Sequence, residues 1–161
     1  MTRFRASAGF TERWDGFDFA VDDGVATVTL SRPDKLNALT FDVYADLRDL
    51  LAELPHRGDV RILVLTGRGR GFCSGGDVRD IIGALQAMGP RELLDFTRMT
   101  GAVVQRLREL PLPVVAAVNG HPQVLFGGGD GWLRAFDTAT GREIWRWDGN
   151  PGDARGLTRP G

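Results

Sequence analysis

Apolar and polar positions alternate with period two through Phe17, Phe19 and Val21, and the β-branched run Val25-Ala26-Thr27-Val28-Thr29-Leu30 follows Asp22-Asp23-Gly24. Period two marks a half-buried strand and Asp-Gly a tight reversal, so the spacing predicts a hairpin. Ser31-Arg32-Pro33-Asp34-Lys35 reads as a loop, and Leu36-Asn37-Ala38-Leu39 leads to Thr40, whose hydroxyl suits a helix N-cap. Beyond Thr40 the period becomes helical. Tyr44, Leu47, Leu50, Leu51 and Leu54 share one face, and Pro55 ends the helix. Gly58-Asp59 then turns the chain into Ile62-Leu63-Val64-Leu65, four consecutive apolar residues that predict a buried strand. A hairpin feeding a strand, helix, strand unit argues for an α/β fold, a sheet covered by helices.

After that strand the pattern breaks. Thr66-Gly67-Arg68-Gly69-Arg70-Gly71-Phe72-Cys73-Ser74-Gly75-Gly76-Asp77 holds five glycines and leaves no room for regular structure. Glycine lets the backbone turn sharply and lets a ligand approach bare N–H groups, and the helix that follows adds a partial positive charge. Such a loop suits an oxygen anion. It lacks the Gly-Lys-Ser/Thr ending of a phosphate-binding P-loop and the Gly-x-Gly-x-x-Gly spacing of a dinucleotide fold. Val78 to Ala87 fits a short helix, and Gly89-Pro90 restarts a longer one with Pro90 near its first position. Leu93, Leu94, Phe96, Val103, Val104, Leu107 and Leu110 supply its apolar stripe. Pro111-Leu112-Pro113 stops it, and Val114-Val115-Ala116-Ala117-Val118 follows as an unbroken apolar strand, expected to be buried on both faces.

Composition narrows the class without choosing a function. With 42% hydrophobic and 25% charged residues, 161 residues suit a single globular domain. Basic and acidic residues balance at 20 against 21, which suggests neither a nucleic-acid nor a membrane partner. One cysteine, Cys73, forms no intramolecular disulfide, and two histidines give no metal-site spacing, so no metal is expected and the cytoplasm is the expected compartment. No apolar stretch has the length of a signal or a membrane span.

Four segments, taken together, carry a resemblance. Arg32-Pro33 with Asn37-Ala38-Leu39, then Leu63-Val64-Leu65-Thr66-Gly67, then Phe72-Cys73-Ser74-Gly75-Gly76-Asp77-Val78, then Pro113 to Gly120, stand in the order and spacing of the enoyl-CoA hydratase/isomerase (crotonase) superfamily. The resemblance spans about residues 17 to 120. It implies a protein of fatty acid metabolism, a lyase or isomerase that binds an acyl-CoA thioester, with coenzyme A as part of the substrate and no separate cofactor. It further implies an oxyanion hole of two backbone N–H groups around a thioester enolate, the first being that of Gly76. Gly76, Asp77, Val78 and Arg79 would line the thioester and adenosine end of CoA. Lys35 and the backbone of Ala38 would approach its phosphate and pantetheine portions, and Arg68 and Arg70 either add phosphate contacts or are solvated loop residues. Cys73 reads as a small packed residue, and Asp77 as a cap for the following helix.

The chain departs from the resemblance after Gly120. A triple glycine, Gly127-Gly128-Gly129, stands about three residues later than the superfamily's, and no helical pattern with a glutamate follows. Trp132 to Phe136 and Glu143 to Trp147 alternate around Asp137-Thr138-Ala139-Thr140-Gly141, which predicts a second hairpin. The stretch 123 to 147 resembles one blade segment of a PQQ-dependent quinoprotein β-propeller, although a single blade cannot close a propeller and implies no PQQ site. The expected organisation is a flexible arm (1–16), a truncated crotonase-like core of sheet and helix layers (17–120), a blade-like β-hairpin (121–147) and a disordered Gly/Pro-rich tail (148–161). If the chain is an enzyme, Gly128 or Gly129 supplies the second N–H and Asp130 stands in as general base, against its plainer reading as a turn residue. Catalysis is expected to be impaired, because the second half of the site is absent; the alternatives are a non-catalytic composite or interaction fragment with a propeller-like hairpin, and a binding module in which Trp132, Trp145 and Trp147 form an aromatic surface. Apolar surface left uncovered on the core predicts self-association or a homo-oligomer.

Overall fold

The computed structural model describes residues 10–119, 123–127, 132–148 and 157–158. Among them eight strands form one mixed sheet in chain order: β1 (Phe17–Asp22), β2 (Val25–Leu30), β3 (Ile62–Gly67), β4 (Val114–Val118), β5 (Gln123–Gly127), β6 (Trp132–Asp137), β7 (Glu143–Asp148) and β8 (Leu157–Thr158). The α-helices are α1 (Phe41–Glu53), α2 (Gly83–Ala87), which continues a π-helical turn at Val78–Ile82, and α3 (Pro90–Glu109). β2, β3 and β4 run parallel, and every other neighbouring pair is antiparallel.

The first hairpin forms where the alternation places it. Asp22 pairs with Val25, and the two residues between them, Asp23 and Gly24, have φ of 40° and 76°. A two-residue reversal needs left-handed backbone at both places, which glycine adopts without steric cost. Thr40 caps α1 as expected, its Oγ1 accepting from the Val43 N–H at 3.3 Å, and Pro55 falls in the tight turn Leu54–His56 that ends the helix. Val43, Leu50 and Leu51 of α1 join Phe17, Ala26, Val28, Leu30, Leu63 and Val103 in one core. Each fully buried leucine there contributes about 2 kcal/mol by leaving water.

α3 starts at Pro90, with the Gly89 N–H donating to Glu92 Oε2 at 2.9 Å. Its stripe is only partly used. Val103 is buried, Phe96 packs edge-on against Phe41 of α1 at 5.3 Å, and Leu94 and Val104 remain 47% and 59% exposed. β4 departs from expectation in the same way, since all five of its residues are half-buried rather than buried. Its reason lies in the layering. α1 and α3 serve a single core built on one face of β2, and Val25, Thr27 and Thr29 on the opposite face are only half-buried.

Of the expected arm, residues 1–9 lie outside the described residues. In residues 10–16, Trp14 packs against the core while Phe10 to Arg13 and Asp15 are exposed. Trp14 stacks on Phe17 at 5.8 Å, the Gly16 N–H donates to Asp46 at 2.9 Å, and Arg57 lies over the rings of Phe10 and Phe19.

The second hairpin is present as β6 and β7, closed by Asp137, whose Oδ1 accepts from the N–H groups of Ala139 and Thr140 at 3.0 and 2.8 Å. The resemblance to a propeller blade finds no support beyond this hairpin. A propeller needs separate sheets repeated around an axis, whereas β5, β6 and β7 are added one after another to the edge of the same sheet, behind β4. β5, which the pattern did not announce, makes that connection. Of the expected tail, Leu157–Thr158 pair with β7, and most of the remainder lies outside the described residues.

Candidate functional site

Parallel strands β2 and β3 end level, with Leu30 beside Gly67, and β4 ends one residue before Asn119. The segments leaving these carboxyl ends are residues 31–39, 68–77 and the chain from Asn119. In open α/β sheets this is the edge where ligands bind, because the loops converge there while the strands hold their roots apart.

Two asparagines hold the glycine loop. Asn37 is 1% exposed; its Nδ2 donates to the carbonyls of Arg68 (3.0 Å) and Gly71 (2.6 Å), and its Oδ1 accepts from the Arg32 N–H at 3.0 Å. Asn119 does the same from β4. Its Nδ2 donates to the carbonyls of Gly67 and, at 2.7 Å, Gly69, while its Oδ1 accepts from the Gly67 N–H at 3.3 Å. Only a side chain with two donors and an acceptor on one planar group meets this demand. Asn37 also has φ 55°, a left-handed conformation that asparagine tolerates better than most residues. Gly67 is required by space, since a Cβ there would stand 2.5 Å from both Asn37 Nδ2 and the Gly71 carbonyl oxygen.

Past the loop, residues 74–77 lie alongside residues 36–39. The Ser74 N–H donates to Leu36 (3.0 Å), the Leu39 N–H to Gly75 (2.8 Å) and the Asp77 N–H to Leu39 (2.8 Å), so Leu39 and Gly76 form a parallel bridge. In such a bridge the middle residue turns its own N–H and C=O to the other side. Gly76 is therefore exposed, and its N–H donates to nothing among the described residues. Gly75, with φ 96°, makes the turn into it.

Asp77 is fastened on three sides. Its Oδ1 accepts from the N–H groups of Arg79 (3.0 Å) and Asp80 (3.3 Å), and its Oδ2 lies 3.1 Å from the Arg32 guanidinium. The Asp80 N–H first, then the Arg79 N–H and the Arg32 guanidinium, hold its carboxyl below the usual carboxylate range against the opposing effect of burial. A carboxylate so held stays ionised at neutral pH and is unsuited to donating a proton. Arg32 also donates to the Ala38 carbonyl at 2.8 Å, so one guanidinium ties both strips together.

The other anticipated residues fall unevenly around this point. Lys35, Arg70 and Arg79 are exposed and form no ion pair among the described residues, whereas Arg68 is paired with Asp18 at 2.7 Å. The Ala38 N–H donates to Lys35 at 3.1 Å and its carbonyl is taken by Arg32, which leaves one carbonyl lone pair for a ligand. Val78 is 71% exposed beside Gly76, unusual for a valine and consistent with an apolar contact. Cys73 is half-buried against the core. Gly128, Gly129 and Asp130 lie outside the described residues. Their described flanks, Gly127 and Trp132, belong to the far end of the sheet, since Gly127 pairs with Val114 at the start of β4 and with Leu133.

Sequence reasoning assigned no role to Arg32, Asn37 and Asn119. Their signal was weak but present: each is a polar residue just after a strand or in a short loop, within a segment already singled out. A cleft of about 470 Å³ opens on the other side of Arg32, but Asp15, Asp42 and Asp46 line it and would repel a polyphosphate. Among the described residues no three His, Cys, Asp or Glu side chains are placed to hold a metal, and no helix is long and apolar enough to cross a membrane.

Comparison with known proteins identifies relatives of this chain. The sequence profile of the enoyl-CoA hydratase/isomerase family matches residues 25–136. The 1,2-epoxyphenylacetyl-CoA isomerase of Escherichia coli (strain K12) is 39% identical over 100 residues, which cover 62% of this chain and 38% of that protein. The hydroxycinnamoyl-CoA hydratase-lyase of Pseudomonas fluorescens is 34% identical over 129 residues, or 79% of this chain and 45% of its own length. A crystal structure from Streptomyces coelicolor A3(2), assigned to the enoyl-CoA hydratases, is 62% identical with a TM-score of 0.69, covering 74% of this chain and 44% of that one. The matched region thus spans less than half the length of each of these relatives. With the profile covering most of the sheet and the whole glycine loop, the chain belongs to the enoyl-CoA hydratase/isomerase family.

Proposed function

We propose that the chain binds an acyl-CoA thioester and receives the thioester oxygen, as it gains enolate character, on the Gly76 N–H. The observation that carries this reading is the Gly76 N–H, without an acceptor among the described residues and held at the carboxyl edge of the parallel strands between a fastened loop and a fastened carboxylate. A fixed donor of this kind needs no reorganisation as charge develops, and losing one typically costs about 3 kcal/mol of barrier. Val78 offers an apolar surface for the acyl or pantetheine chain. Lys35, Arg70 and Arg79 offer charge to the phosphates, and the Ala38 carbonyl an acceptor.

Turnover by this chain is proposed to be weak. The residues after the glycines run into strands β6 and β7, not into a helix that could aim a carboxylate at the substrate, and the flanks of Asp130 are at the opposite end of β4 from Gly76. Calorimetry with CoA and with crotonyl-CoA tests binding, and loss of the conjugated thioester absorbance tests hydration. The expected result is binding of both with slow or no loss of absorbance. Binding of neither overturns the proposal, and turnover that survives Asp130→Ala removes Asp130 as the base. Self-association belongs to the same reading, supported by the exposure of Ile82 (47%), Leu94 (47%) and Val104 (59%); sedimentation velocity measures it.

A further inference from the structure

We propose that Asn37 and Asn119 are positioning residues for the Gly76 donor, setting its place through the glycine loop without touching the substrate. Four of the five carbonyls between Gly67 and Gly71 point at these two amides. A loop whose carbonyls were left to water would have many near-equal conformations, each placing residue 76 elsewhere, and a hole that shifts by even an ångström loses most of its preference for the reacting geometry. The two side chains work from opposite sides. Asn37 lies in the 36–39 strip whose Leu36 and Leu39 bond residues 74–77, and its side chain holds the carbonyls of Arg68 and Gly71, so the strip ties the end of the loop to its beginning. Asn119 anchors the loop's root to β4, and its Oδ1 is in turn faced by the Thr66 hydroxyl at 3.1 Å. The amide orientations follow from the partners: the nitrogen of each faces two carbonyls and the oxygen faces a backbone N–H, so a flipped amide would oppose like groups.

This inference rests on the reading of Gly76 as the thioester-oxygen donor, and the test separates the two. Asn119→Asp keeps the shape and the acceptor but removes the donors and sets a carboxylate against the carbonyls of Gly67 and Gly69. Thr66→Val is the milder companion, removing only the hydroxyl behind Asn119, and keeps the question open to measurement if the aspartate variant does not fold. The first readout is amide hydrogen exchange at Ser74 and Asp77, which bond to neither asparagine. Exchange there is expected to quicken about tenfold in Asn119→Asp and less in Thr66→Val, with β2 amides unchanged, as befits local rather than global opening. The second readout is affinity for acetoacetyl-CoA, which presents an enolate, against CoA, which has none. The variants are expected to lose about tenfold for acetoacetyl-CoA and little for CoA. Unchanged exchange at Ser74 and Asp77, or an equal loss for both ligands, overturns the positioning role. If the wild-type chain itself does not prefer acetoacetyl-CoA, the Gly76 reading fails, and the exchange result alone decides whether the asparagines position the loop.

Discussion

The glycine loop and the second hairpin are both turns on the same sheet, yet they are held by opposite means. The β6–β7 turn closes on itself: Asp137 accepts from Ala139 and Thr140, two and three residues away, and the ladder does the rest. The loop from Gly67 to Asp77 has no ladder of its own along its first half and is held by Asn37 and Asn119, 31 to 52 residues distant. Burial follows the same division. The core gathers on β1 to β3, α1 and α3, and after Val103 the only fully buried apolar residue described is Ala135. A self-contained turn can decorate a thinly packed edge. The glycine loop, tied by distant side chains, is built where a core fixes the strands from which those side chains come.

That contrast can be tested from the strongest effect downward. Leu63→Ala, at a position with no exposure, is expected to cost about 4 kcal/mol, read from urea midpoints, because it empties the centre of the core. Gly67→Ala is expected to cost about 3 kcal/mol, since its methyl would be forced against Asn37 and the Gly71 carbonyl. Leu133→Ala on half-buried β6 is expected to cost only about 1 kcal/mol. If it costs as much as Leu63→Ala, the sheet is one evenly packed body and the contrast fails. Asp77→Asn gives the smallest and most pH-dependent change. Its folded pKa lies below the unfolded value, so its stabilisation is present above about pH 4 and is lost as pH falls through the folded value. Denaturation midpoints of the variant and the parent should therefore converge on acidification. A gap that stays constant with pH would show that the Arg32 and N–H contacts do not act through the carboxylate's charge.

Much of this architecture was legible in the chain. Period two gave both hairpins, Thr40 and Pro55 bounded α1, Pro90 opened α3, and the run at Ile62 gave the central strand, because each signal is carried by residues a few positions apart. β5 escaped notice because its short apolar run, Val124-Leu125-Phe126, shows no alternation. The likeness of 123–147 to a propeller blade misled for a related reason: alternation tells that a strand has two faces and says nothing about which sheet it joins. A role for Gly76 comes only from the family resemblance, whereas the contacts of Asn37 and Asn119 are not legible in the sequence, since the carbonyls they hold lie far away along the chain.

By itself, the sequence determined most of the stretches that became strand, helix and turn, β5 excepted, that five glycines would form an irregular loop after β3, and to which family that order of segments points. Only the tertiary structure decided that β5 to β7 extend the same sheet and that, among the described residues, Lys35 and Arg79 form no ion pair while Arg68 does and the Gly76 N–H has no acceptor. Local propensity acts over a few residues and can be read along the chain. Which hydrogen-bonding groups find partners, and which are left for a ligand, depends on residues brought together only when the sheet closes over its core.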